Sequence, residues 1–162
     1  MYRHTKITGT KPEFYRRLAA TLDELLAGEP DQLANLCNAA ALLGCQLERI
    51  NWVGFYLCRD GQLMLGPFWG LPACTRIALG SGVCGQAAAQ RQTVIVPDVA
   101  LFPGHIACDS ASRSEIVVPV LGADGELFGV LDVDSPDLDR FDEADAQGLA
   151  AVAAVLARRL GI

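Results

Sequence analysis

The chain is 162 residues long with a formal net charge of −6, no basic run, and no apolar stretch near the roughly 18 residues of a membrane span. These features argue against a nucleic-acid surface and against docking on anionic lipid. The N-terminal MYRHTKITGTKPEF has neither an apolar centre nor a small-residue cleavage site, so a cytoplasmic location is expected. The chain carries six cysteines, and one this long and apolar has no need of them as staples. Metal binding, redox catalysis and plain core packing stay open as their uses.

Residues 1–11 read as an N-terminal extension of one domain spanning 1–162. An amphipathic helix follows over 12–27. Pro12 suits its first turn, Phe14, Leu18, Leu22, Leu25 and Leu26 keep helical spacing, and Gly28 suits the position past its end. Asp31 can cap a second helix with Leu33, Leu36, Ala40 and Leu43 on one face, stopped by Gly44. Residues 48–58 and 62–69 are strand-like, and Asp60-Gly61 between them is a hairpin signal. RIAL at 76–79 is a short strand candidate, the glycines of LGSGVCGQ lead into the helix VCGQAAAQR, and TVIVP at 93–97 returns to strand.

Residues 98–113, DVALFPGHIACDSASR, follow neither period, and loops of that length in compact domains are commonly functional. SEIVVPVLG and ELFGVLDVD flank Ala123-Asp124-Gly125 as a second hairpin, in which Pro119 points to a bulge or an edge. Asp142 caps the last helix, with Glu143 and Asp145 near its start and Arg158 and Arg159 near its end, as the helix dipole favours. Its apolar face carries Leu149, Val152, Val155, Leu156 and Leu160. Two helices, two strands, a short helix, four strands and a last helix predict an α+β domain around a largely antiparallel sheet.

Cys108 stands in the irregular loop among small and polar residues, with His105 three residues before it and Arg113 five after. A thiol used for chemistry must be reachable and must become thiolate, and such a loop suits both needs; an idle loop cysteine is the alternative. Cys84 opens the short helix, where a helix N-terminus lowers a thiol pKa, or else it is a small buried packing residue. Cys74 follows the turn Gly70-Leu71-Pro72-Ala73 and would meet Cys108 only if their Cα atoms come within about 7 Å. Cys37, on the apolar side of helix two, Cys45, just past its end, and Cys58, at a strand end, read as ordinary small hydrophobes.

Cys74, Cys84, His105 and Cys108 make a zinc set conceivable in number. There is no CxxC pair and there are only two histidines, His4 and His105, so no resident metal is expected. A Cys–His–acid protease has no local signature here. Asp132 and Asp134, two apart on a strand, share a face, and Glu115 can lie across the hairpin from one of them. Crowded carboxylates raise one another's pKa, so one of the three can hold a proton near neutrality; a solvated strand end is the alternative. Trp52 and Tyr56, four apart on one strand face, either line a pocket or belong to the core.

The motifs NWVGFYL at 51–57, LGPF at 65–68, PACTRI at 72–77, GVCGQA at 82–87 and PGHIACDSASRSEIVVPV at 103–120 resemble those of the free methionine-(R)-sulfoxide reductases, a family built on the GAF domain. LDVDS at 131–135 and RFDEAD at 140–145 complete a resemblance that covers about residues 35–158. It implies a GAF-like α+β fold, a largely antiparallel six-stranded sheet with the N- and C-terminal helices packed on one face. It implies Cys108 as nucleophile, Cys74 as resolving thiol and Cys84 as a secondary resolver or structural partner. Glu115, Asp132 and Asp134 would surround the sulfoxide and amino groups, and Trp52 and Tyr56 would close the pocket around the methyl end.

The resemblance also implies free methionine (R)-sulfoxide as substrate, thioredoxin as external reductant, no bound cofactor and a homodimer. A sulfoxide sulfur is electrophilic only when its oxygen is protonated or strongly hydrogen-bonded, so an acid beside the thiolate suits the reaction. A non-enzymatic GAF sensor of a small ligand or of oxidants is the competing expectation.

Overall fold

Asp60 and Gly61 both take positive φ, 51° and 75°, which closes the tight turn between β1 (Trp52–Arg59) and β2 (Gln62–Trp69) and sets their antiparallel register. The structure, a computed structural model, describes residues 5–106 and 108–162; His4 lies outside them. Among the described residues six strands form one sheet in the order β3-β2-β1-β6-β5-β4. The others are β3 (Arg76–Ala78), β4 (Val94–Val96), β5 (Ser114–Leu121) and β6 (Leu127–Ser135). Every pairing is antiparallel.

Strand alternation divides the molecule into two cores. Val53, Phe55, Ile116, Val118, Leu131 and Val133 point to the face covered by α2 (Gln32–Gln46) and α4 (Glu143–Leu160), with α1 (Lys11–Leu25) packed chiefly on α4. Trp52, Tyr56, Val117 and Val130 point the other way, toward α3 (Gly82–Gln90). The expected six-stranded α+β domain, with its N- and C-terminal helices on one side, is what forms.

Several local expectations need correction. β3 precedes α3, so the strands divide three and three about that helix, not two and four. β1 begins only at Trp52, because Arg49 takes φ of 56° and breaks the extended run. Gly44 does not stop α2, which runs to Gln46. Its lack of a side chain serves packing: a Cβ there would lie 2.5 Å from the Trp69 ring. Leu33 is 63% exposed and Cys37 and Cys45 are exposed, while α2 buries Leu36, Ala39, Leu42 and Leu43. The expected face otherwise holds, with Leu36, Ala40 and Leu43 buried, and the departure is confined to Leu33 and Cys37. Cys45 lies inside the helix rather than past its end, and Cys58 is half-buried.

Pro119 sits in an interior strand, yet β4 pairs only with Glu115–Val117, so its missing N–H falls beyond that short neighbour. The register shift comes one residue later, between Val120 and Leu121. Residues at the N-terminal end are tied down from Thr5 onward: the Ile7 N–H donates to Gln46 Oε1, and Gln46 Nε2 donates to the Thr5 carbonyl.

The start of α4 is fastened by charge. Asp142 accepts from the N–H groups of Ala144 and Asp145 as the N-cap. Asp145, 1% exposed, accepts from the Tyr15 hydroxyl at 2.8 Å and Arg140 at 3.2 Å, and it pairs with Lys11 at 2.6 Å. Removing one partner of a buried pair leaves the other charge unmatched. Asp145→Ala is therefore expected to cost about 3–5 kcal/mol, read as a lowered urea midpoint.

Candidate active site

Strand register builds the site before any loop arrives. Glu115 lies opposite Asp134 and Val117 opposite Asp132, while on β1 Trp52 lies opposite Asp134 and Gly54 opposite Asp132. Residues paired across antiparallel strands share a face, so Glu115, Asp132, Asp134, Trp52 and Tyr56 all point the same way. The Trp52 and Tyr56 rings stack at 5.9 Å, and Trp52 stacks on Phe68 at 5.4 Å.

Helix α3 brings Cys84 down onto this face. Gly85 permits the approach, since a Cβ there would run into the Ala78 carbonyl. Cys84 Sγ stands 3.9 Å from Glu115 Oε1, and ligand atoms of Cys84, Glu115 and Asp132 all lie within 4.8 Å of one another. That spacing is one a metal ion can bridge. Glu115 is 5% exposed and Asp132 6% exposed, and Asp132 Oδ1 is buried without a hydrogen-bond partner among the described residues.

Burial of so many acidic groups pushes their protons on. Burial raises the Glu115 pKa to about 7, opposed by its hydrogen bond to His105 and reinforced by the charge of Asp134. Asp132 is held well above the carboxylate range by burial and then by Glu115, and Asp134 by burial and then by Asp132. The Cys84 thiol is likewise pushed well up, by burial first and then by Asp132 and Glu115. Of the two readings of Cys84, the small buried residue is the one that forms and the lowered thiol pKa of a helix N-terminus does not: desolvation and two neighbouring acids outweigh the end of a nine-residue helix.

Two loop segments close over this floor and are joined by a disulfide between Cys74 and Cys108, whose Cα atoms are 5.5 Å apart. The Cys74 segment is held by Trp52, whose Nε1 donates to the Leu71 carbonyl at 3.1 Å. The Cys108 segment is held by Asn51, whose Nδ2 donates to Asp109 Oδ2 and Ser112 Oγ, both at 2.9 Å. His105 turns inward, with Nε2 3.4 Å from Glu115 Oε2, whereas Arg113 is exposed. Between disulfide, α3 and carboxylates remains a cavity of about 30 Å³, lined by Tyr56, Cys84, His105, Cys108, Glu115 and Asp132 among others. It takes little more than a water molecule.

All eight candidate residues therefore meet in one place: Cys108, Cys74, Cys84, Glu115, Asp132, Asp134, Trp52 and Tyr56. The zinc set of Cys74, Cys84, His105 and Cys108 does not form here, because two of its sulfurs are bonded to each other. Sequence reasoning passed over Asn51, Asp109 and Ser112. They lie within the quoted motifs, but contacts across 58 and 61 residues leave no local signal.

Fold and site define a GAF-type oxidoreductase, with a bonded pair of cysteines above a buried acid. The GAF domain family matches residues 21–160. The free methionine-R-sulfoxide reductase of Escherichia coli is 49% identical over 150 residues, 93% of this chain and 90% of that protein. Protein YtsP of Bacillus subtilis is 49% identical over 99% of both chains. A free methionine-R-sulfoxide reductase from Neisseria meningitidis, solved in complex with its substrate, superposes with a TM-score of 0.92 at 46% identity, covering 99% of this chain and 96% of its own. The chain belongs to the free methionine-R-sulfoxide reductase family of GAF-domain proteins.

The Glu115 shift carries a stability consequence. Its pKa rises from an ordinary 4.5 to about 7 on folding, so between those values the unfolded chain ionises while the native one keeps its proton. Stability of the disulfide-closed protein is therefore expected to fall as pH rises through that window, by about 3 kcal/mol from Glu115 alone. Asp132 and Asp134, shifted in the same direction, add to the fall. Urea unfolding at stepped pH checks this, and Glu115→Gln should flatten the slope.

Proposed function

We propose that this chain reduces free methionine (R)-sulfoxide to methionine with Cys108 as nucleophile, Cys74 as resolving thiol and thioredoxin as external reductant, with no bound cofactor. The observation that carries the reading is the Cys74–Cys108 disulfide closing directly over a buried carboxyl able to hold a proton near neutrality. The substrate is taken from the named activity of the Escherichia coli relative, and the epimer from the same name.

With the disulfide reduced, the two segments part and the pocket admits an amino acid. The sulfoxide oxygen accepts a proton from Glu115, which makes the sulfur electrophilic, and the Cys108 thiolate attacks it. The oxygen then passes from the substrate sulfur to the Cys108 sulfur: an oxygen–Cys108 bond forms as the sulfur–oxygen bond and the transient bond between the two sulfurs break, methionine leaves, and Cys108 is left as sulfenic acid. The Cys74 thiol condenses with it, releasing water and forming the disulfide. A dithiol protein then takes up the disulfide by exchange and restores both thiols.

The other residues have tasks in this scheme. Asp132, with its unpartnered Oδ1, and Asp134 offer the substrate ammonium a counter-charge. Trp52 and Tyr56 enclose the methyl end. His105, hydrogen-bonded to Glu115 and half-buried toward the surface, returns a proton to the acid after each turnover. Cys84 is a poor nucleophile with its pKa raised, which supports Cys74 as the resolver.

An assay coupling thioredoxin, its reductase and NADPH should consume NADPH with free methionine (R)-sulfoxide, and not with the S epimer or a peptide-bound sulfoxide. No turnover of the free R epimer by fully reduced protein overturns the proposal. Cys108→Ser should abolish even one turnover. Cys74→Ser should yield about one methionine per subunit before recycling slows, as counted in a single-turnover experiment. The chemical rate should fall as pH rises past about 7, where Glu115 loses its proton, and Glu115→Gln should lose about 10²–10⁴-fold at every pH.

A further inference from the structure

We infer that Cys84, Glu115 and Asp132 form a site for one thiophilic divalent cation of the zinc type, and that this ion competes with the substrate. The reductase scheme gives Cys84 no chemical step, yet this thiol is buried among acids and not among apolar side chains alone. Its sulfur and one oxygen each from Glu115 and Asp132 lie within 4.8 Å of one another. Zinc bonds of roughly 2.0–2.3 Å at tetrahedral angles require ligand atoms about 3.5 Å apart. The Cys84–Glu115 distance of 3.9 Å is already near that value.

A second observation points to a ligand. Among the described residues Asp132 Oδ1 is buried with no hydrogen-bond partner, on a residue 6% exposed that lines the cavity. Such an atom is costly to bury unless something meets it. Glu115 is divided to suit the same centre: Oε1 faces Cys84, while Oε2 stands 3.4 Å from His105 Nε2. That leaves Oε1 for an ion and makes His105 the outer partner that orients the carboxylate. Water completes the coordination in the cavity.

The donor set selects the class of ion. One thiolate with two carboxylates suits zinc or cobalt, whereas magnesium and calcium require a larger set of oxygens and no sulfur. Because Cys74 and Cys108 take no part, the site exists whether or not they are bonded. An ion there occupies the acid that must protonate the sulfoxide and the aspartate that must meet the ammonium. The competition rests on the reductase reading; the binding does not.

Cobalt reports the ligands directly. In a chain carrying Cys37→Ser, Cys45→Ser and Cys58→Ser, with the disulfide closed, Cys84 is the one remaining thiol. Cobalt should then bind at one equivalent with a thiolate-to-metal band in the near ultraviolet, and zinc should displace it. The band should persist when Cys74→Ser unlocks the loop, vanish in Cys84→Ser, and need at least tenfold more cobalt in Asp132→Asn. Absence of the band in both the closed and the unlocked chain, its survival in Cys84→Ser, or unchanged affinity in Asp132→Asn overturns the site. Zinc should also raise the melting temperature of the unsubstituted oxidised protein, a reading that needs no variant to fold. In the reduced protein zinc should raise KM for the sulfoxide and leave kcat unchanged. A cobalt band without such competition leaves the metal site standing and overturns the competition, pointing back at the role given to Glu115.

Discussion

Two buried carboxyl groups, a half-buried third and a buried thiol, all on one face of a sheet, set the terms for the rest of this protein. Glu115, Asp132, Asp134 and Cys84 are all driven toward their protonated forms, by burial before anything else. A sheet face like that contributes little to folding and costs much. The opposite face offsets it. Leu18, Leu22, Leu43, Leu131, Leu149 and Leu156 are almost completely buried there, each contributing about 1.5–3 kcal/mol by leaving water. The division of labour follows from strand alternation alone: one set of positions holds the chain together, and the other is free to hold chemistry.

The loops answer to the same floor. Trp52 belongs to the pocket face through its ring and to the Cys74 segment through its indole N–H. Asn51, its neighbour, reaches the Cys108 segment through Asp109 and Ser112. The start of one strand thereby holds both halves of the disulfide at a distance where their sulfurs can meet. Neither segment depends on the other for its anchor.

What could be read from the sequence was whatever chemistry is local. The Asp31 and Asp142 caps, the Asp60-Gly61 turn and the pairing of Glu115 with the LDVDS aspartates depend on residues a few positions apart or on simple hairpin register. Gly44 was misread because the residue that requires it, Trp69, arrives from another element. Of the two readings of Cys84 the small buried residue is the one that forms, but its raised pKa left no local signal, because Asp132 and Glu115 come from different strands. Cys37 shows how weak periodicity is in a helix of alanines and leucines, where more than one face is apolar enough to bury. The tie between Cys74 and Cys108, 34 residues apart, came from family motifs and not from any physical pattern.

In the closed state burial drives the acids under the disulfide toward their neutral forms. With the disulfide formed, burial around a cavity of about 30 Å³ raises the pKa of all three carboxyl groups, and their mutual charges add to it. Opening the loop changes that balance. A bound ammonium group stabilises the charged form of the aspartates, and a metal ion does so for the thiol as well. Glu115, held between Cys84 and His105, is the group whose proton is most finely placed, since its pKa of about 7 lies within reach of either outcome. An occupant that brings positive charge but needs no proton will draw Glu115 into its charged form. In the proposed reaction a sulfoxide would instead need that proton, and an ammonium at Asp132 and Asp134 would supply the counter-charge that leaves Glu115 free to keep it.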